Sequence, residues 1–214
     1  AGPGFAGILL NTFLVSTIVT AVTLLVGFPL AWLLVVLPAA RGRLLFGIIV
    51  LSMWTNLLTR TFGWMVLLQS RGVINRALLA LGLIDQPLPL INNLAGITIG
   101  MTYIMIPFIV LPLQATLASI DPAILRAASL CGAGRGQVFL RVLLPSCRTG
   151  IAAGCLMVFV MSLGYYVTPT LLGGTANMML AGLIAQLIQS LLNWGLGGAA
   201  AFVLERADLA EQRG

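Results

Sequence analysis

An all-α, polytopic membrane protein is the fold class this sequence predicts, on three observations. Hydrophobic residues fill 60% of its 214 positions and charged residues only 7%, a balance that a soluble domain cannot carry. The apolar residues fall in windows long enough for a helix to cross a bilayer, which takes roughly 20 residues. Of the 11 basic residues, all arginine, every one but Arg60 stands outside those windows. That pattern marks topology and argues against a nucleic-acid face.

The windows come in order at residues 8 to 37, 44 to 68, 94 to 118 and 150 to 172, with a weaker one at 177 to 192. The first opens with Asn11 and Thr12 and closes before Pro38, Arg41 and Arg43. The second carries Trp54 and Trp64 toward its ends, as interface anchors would be carried. With the loop at 38 to 43, the loop at 119 to 149 and the tail placed in the cytoplasm, eight arginines (41, 43, 126, 135, 141, 148, 206, 213) lie inside and two (71, 76) outside. Positive-inside counting selects that orientation. Residues 1–204 are read as the transmembrane domain and 205–214 as a polar cytoplasmic tail. The periplasmic stretch Gly72 to Leu83 reads as a short amphipathic surface helix, with Ile74, Ala77, Leu78 and Leu81 on one side and Asn75 and Arg76 elsewhere. Cys131, Cys147 and Cys155, with no His in the chain, give no metal-site spacing and read as small packing residues.

The longest hydrophilic stretch between apolar windows, 119 to 150, carries the chemistry of a docking element. Asp121 caps a helix start and Pro122 suits its first position. Gly132 ends the helix after about 10 residues, or ~15 Å, half a bilayer at most. After Gly132, Gly134 and Gly136 a second helical run is expected from Gln137 to Leu144, stopped by Pro145. The product is a bent, basic helical hairpin outside the membrane. An interfacial helix with only an anchoring role is the other reading open at this point.

The spacing Arg126-Ala127-Ala128, three residues, Gly132, nine residues, Val142, one residue, Leu144-Pro145 resembles the "EAA" coupling loop of bacterial ABC importer permeases. Arg126 stands where that family has Glu, a reversed charge. Further stretches, Trp54 through Trp64, Gly72 through Asp85 with Pro87 and Pro89, and Leu163 through Pro169 with Leu171-Leu172-Gly173-Gly174, are similar to the spermidine/putrescine branch of the family, and the likeness runs from about residue 8 to 200. The resemblance implies a type I importer helical bundle, with about four to five of the usual six membrane helices in this sequence, in the bacterial inner membrane. It implies a second permease subunit, a cytoplasmic ATPase dimer gripping the loop through Arg126, Ala127, Ala128, Gly132, Val142, Leu144 and Pro145, and a periplasmic substrate-binding protein. No cofactor is expected in this chain, ATP being bound by the partner. The family's first helix would precede Asn11, and too few apolar residues follow Asn193-Trp194-Gly195 to cross ~30 Å, so the sequence reads as a truncated permease.

Two clusters are candidates for the translocation path. Ser52, Asn56, Arg60 and Trp64 recur every four residues and would share one helical face; such a stripe lines a path or a subunit contact, or lets Arg60 snorkel to the outer surface. Tyr165, Tyr166, Thr168 and Pro169 join aromatic rings, hydroxyls and a helix break, with Pro169, Gly173 and Gly174 expected to open the backbone toward a cavity; a plain aromatic belt is the alternative. A polyamine such as spermidine or putrescine is the favoured solute, although no Asp or Glu lies inside any window, and another small solute stays open. A proton-driven transporter would need an intramembrane carboxylate or His, which this sequence lacks. A non-transporting scaffold or inactive fragment is the other alternative, against which the Gly turn and Leu-Pro exit speak. With no His, no acid–base dyad and no phosphate loop, the chain is not an enzyme.

Overall fold

The computed structural model describes residues 5–173 and 179–189, and every regular element among them is helical. In order these are α1 (Phe5–Val36), α2 (Ala39–Trp54), α3 (Leu57–Leu68), α4 (Val73–Ala80), α5 (Leu94–Ala118), α6 (Pro122–Leu130), α7 (Arg135–Val138), a π-turn (Phe139–Leu143), α8 (Leu144–Ser146), α9 (Arg148–Leu163), α10 (Val167–Gly173) and α11 (Leu180–Gln189). Within α1 the span Ala6–Val36, and α5 in full, are long and apolar enough to cross a membrane; up to four spans result if each of two broken helix pairs counts as one.

Contacts sort the chain into two units. One holds the described residues up to Val19, Thr55–Tyr103 and those from Phe159 onward; the other holds Thr20–Trp54 and Ile104–Val158. In the second unit, α5 is the packed centre. A Cβ on Gly27 of α1 would overlap the Ile109 side chain, one on Gly154 of α9 would stand 2.9 Å from Ile109 Cγ1, and one on Gly150 would overlap Thr116. Glycine at these places lets helix backbones approach where lipid offers no hydrophobic drive for association. In the first unit, α10 is held by two neighbours. Its Leu172 and Thr168 fill the space that a side chain at Gly100 of α5 would need, and the Thr168 and Thr61 hydroxyls meet at 3.3 Å. The ring of Phe13 on α1 packs against Phe159 of α9 at 6.2 Å between centroids.

Hydroxyls inside these apolar helices return to their own backbone: Thr12 donates to the Ile8 carbonyl, Thr17 to Phe13, Thr98 to Leu94 and Thr116 to Pro112. Thr12 does double service, because its oxygen also accepts the N–H of Leu180 at 2.9 Å. Leu180 opens α11, so this is an orphan donor satisfied across the first unit.

Three expectations need correction. The window at 44 to 68 is not one helix: the chain leaves helix after Trp54, and Asn56 restarts it by accepting the Leu58 N–H at 2.8 Å. Ser52, Asn56, Arg60 and Trp64 therefore do not share one helical face; Ser52 lies on α2, Asn56 is the exposed cap, and Arg60 and Trp64 lie on α3. The window at 150 to 172 also breaks, at Gly164–Tyr166 rather than at Pro169. Pro169 sits in the first turn of α10, where its missing N–H opens nothing, and it is buried. Third, the helix at 72 to 83 buries Asn75 completely and leaves Leu81 72% exposed, the reverse of a simple amphipathic split. Of the weaker window at 177 to 192, α11 lies within the described part. The tail 205–214 and Gly174 lie outside the described residues.

Replacing Gly27 with Val should overpack α1 against Ile109 and lower stability by about 1–3 kcal/mol. Gly47→Val, where a Cβ meets nothing within 4 Å, should leave the melting temperature of the detergent-purified protein near that of the parent; equal melting temperatures for both variants would refute the close packing.

Candidate functional site

The hairpin is built by its caps. Asp121 accepts the Ala123 N–H at 2.8 Å, Pro122 occupies the first turn, and α6 runs to Leu130. At the far end Gly132 takes φ +85°. Its N–H donates to the Ser129 carbonyl at 3.1 Å and that of Ala133 to the Ala128 carbonyl at 3.2 Å. These paired bonds and the left-handed glycine form a Schellman closure. Gly134 N–H is taken up by the Gln137 side chain at 3.3 Å, so the turn is closed on both sides. None of the residues of α6 is buried, and Leu130 is 89% exposed. An isolated helix of nine residues is marginal in water; within its own unit α6 is only partly covered, with Leu125 and Ala128 half-buried and the rest of its residues exposed.

The return limb departs from expectation. Pro145 does not end a helix at Leu144. Instead the backbone widens into the π-turn, with the Leu144 N–H reaching back to the Phe139 carbonyl. A proline ring would collide with the carbonyl four residues earlier; the wider turn gives it room. The break comes at Cys147, after which α9 departs at 64°. Phe139 meets Phe28 of α1 edge-on at 5.7 Å between centroids, which anchors the limb. Of the predicted coupling residues, Arg126, Ala127, Gly132 and Pro145 are exposed, and Ala128, Val142 and Leu144 are half-buried.

The second set of candidates gathers in the first unit. Arg60 is half-buried and its Nε has no hydrogen-bond partner. Trp64 packs edge-on against Tyr103 at 5.5 Å. Thr168 is buried on Thr61, while Tyr166 and Asn56 are exposed. Thr61 and Tyr103 belong with this cluster although the sequence patterns did not single them out; a hydroxyl and a ring in apolar helices carry no spacing signal of their own. Asn75, expected away from the apolar side of its helix, is instead buried: its amide donates to the Gln69 and Leu88 carbonyls at 3.1 and 3.0 Å and accepts the Leu88 N–H at 2.9 Å. It holds the loop after α4 against that helix.

No family model matches the chain. It is 33% identical over 202 residues to the spermidine/putrescine transport system permease protein PotB of Escherichia coli, covering 94% of this chain and 74% of that protein. The chain is a permease subunit of the spermidine/putrescine-type ABC importer family. The PotB protein of Haemophilus influenzae is 34% identical to this permease, over 94% of this chain and 71% of its own length. Among solved structures, the bacterial alginate ABC transporter in complex with an alginate-bound periplasmic protein shares the fold, at a TM-score of 0.66 and 21% identity over 95% of this chain and 74% of that one. This permease is thus a multi-pass membrane protein of an ABC transporter, helical throughout the regular elements of its described residues.

Asn75→Ala would remove three part-buried hydrogen bonds and leave a cavity at a fully buried position, and should destabilise the permease by about 1–3 kcal/mol, with faster proteolysis between residues 81 and 90. Arg76→Ala, which loses only an exposed bond to the Arg71 carbonyl, should stay within about 0.5 kcal/mol.

Proposed function

We propose that this permease imports a small solute, a polyamine such as spermidine or putrescine, across the inner membrane as one of two permease subunits above an ATPase dimer. The observation that supports this most directly is α6: a capped, sharply terminated helix, with nothing buried, presenting Ile124, Ala127 and Cys131 to its surroundings at helical spacing. Small residues let such a helix sit deep in a partner's cleft, and the closed turn at Gly132 keeps it rigid enough to be pushed. In this reading the hairpin at 119 to 149 and the tail face the cytoplasm. ATP is bound and hydrolysed by the partner, and closure of the ATPase dimer drives α6, rocking the membrane helices so that the path opens to a periplasmic substrate-binding protein.

Arg60, Trp64, Tyr165 and Tyr166, with Asn56 at the edge and the buried Thr168 and Pro169 behind them, are the proposed wall of the path. Aromatic faces attract organic cations. Carboxylates for a polyamine would come from the second permease subunit or the binding protein, because all five acids of this chain fall outside the apolar windows. A different solute is favoured by one observation: the charge in this cluster is the cation Arg60, with its Nε unpartnered. A putative 2-aminoethylphosphonate permease of Salmonella paratyphi A is 29% identical over 70% of this chain, so an anion-bearing solute is the second reading.

Gly132→Pro forbids φ +85° and removes the N–H that bonds Ser129. It should abolish co-purification of the ATPase encoded beside this chain while leaving membrane insertion intact. Retention of the ATPase at parental levels would sink the docking reading. In the same complex, uptake of labelled spermidine but not 2-aminoethylphosphonate supports the polyamine; the opposite result supports the anion.

A further inference from the structure

On the side of α6 away from Ile124, Ala127 and Cys131, the second unit contains an open groove of about 670 Å³. Helical geometry separates the two faces, since residues four apart stack in rows: Leu125 above Ser129 and Arg126 above Leu130 line the groove, with Trp32 of α1 and Phe139 and Leu143 of the π-turn as the other walls. Arg126 therefore lies on the groove side of the helix, about 100° round from Ala127. We propose that this groove is a binding site for an anionic phospholipid, with an acyl chain between Trp32, Leu130, Phe139 and Leu143 and the phosphate on Arg126.

Three features of the site choose that occupant. Its walls are apolar apart from one cation and one hydroxyl, and the Ser129 hydroxyl already donates to the Leu125 carbonyl at 3.0 Å, so recognition falls to the guanidinium. Trp32 lies four residues before the end of α1, or ~6 Å along its axis, a position typical of the tryptophans that mark the lipid–water boundary. The charge around it is one-sided. Arg126 lines the groove and is exposed, and the lining contains no acid; Asp121, the one acid of the hairpin, accepts the Ala123 N–H at the start of α6. Basic pockets of this kind at the ends of membrane helices favour anionic over zwitterionic headgroups. A lipid so placed would join α6 to α1 and make coupling sensitive to membrane composition. The site shares Arg126 with the coupling residues that the family resemblance implies, and its other α6 residues, Leu125, Ser129 and Leu130, lie on the face away from Ile124, Ala127 and Cys131.

The test is native mass spectrometry of the full chain in mild detergent, titrated with phosphatidylglycerol or with phosphatidylcholine. Phosphatidylglycerol should be retained preferentially. Arg126→Gln should weaken that retention about fivefold, the effect of one basic side chain near a membrane surface, and Arg141→Gln, outside the groove, should not. Equal retention of the two lipids, or an unchanged preference in Arg126→Gln, would overturn the proposal. Stoichiometric release of the lipid on adding the ATPase would overturn it too, since the groove would then belong to that partner.

Discussion

A helix that breaks inside an apolar medium strands N–H and C=O groups that no water can reach, and the way this chain meets that demand shapes the rest of its structure. At several helix ends a side chain closes the gap. Asn56 receives the Leu58 N–H in the first turn of α3, Thr12 receives the Leu180 N–H that opens α11, Asn93 receives the Gly96 N–H near the start of α5 at 3.0 Å, and Asn75 joins Gln69 before α4 to Leu88 in the loop after it. The hairpin obeys the same rule outside the apolar windows, with Asp121 at one end and the Gly132 closure at the other. A helix whose ends are satisfied locally owes nothing to its neighbours. For α6 this means that its side chains remain available to other molecules.

Close approach of helices follows from the same setting. Lipid tails are as apolar as leucine, so helices associate through packing. In the second unit Gly27, Gly150 and Gly154 bring α1 and α9 onto α5, and in the first Gly100 receives α10. Packed elements of this kind move as bodies rather than deform. That is the mechanical property required of a protein whose proposed work is to relay a push on α6 into a change of access.

The features written in local chemistry were legible in the sequence. Asp121-Pro122 and Gly132 placed both ends of α6 because a cap, a fixed φ and a left-handed turn each belong to one residue type. The apolar windows found α1 and α5 because those helices are continuous. Hydropathy failed where it averages: a window sees the same apolar content on either side of Thr55–Asn56, or of Gly164–Tyr166, whether the helix continues or not. The π-turn before Pro145 was hidden for a different reason, since proline signals a conflict and not how the backbone resolves it. Asn75 was misplaced because a buried amide with three local partners has the same one-letter signature as a solvated one. The groove beside Arg126 needed α1 and the π-turn brought together, which no spacing announces.

The central claim is that the Ile124, Ala127 and Cys131 face of α6 is a cytoplasmic docking surface. Cys131 is exposed, whereas Cys147 is buried and Cys155 half-buried, so the chain carries its own probe. With Cys147 and Cys155 replaced by Ala, labelling of Cys131 by a membrane-impermeant maleimide should occur in inside-out vesicles, fail in right-side-out ones, and be suppressed when the ATPase is bound. Labelling from the outside, or labelling indifferent to the ATPase, would contradict the account.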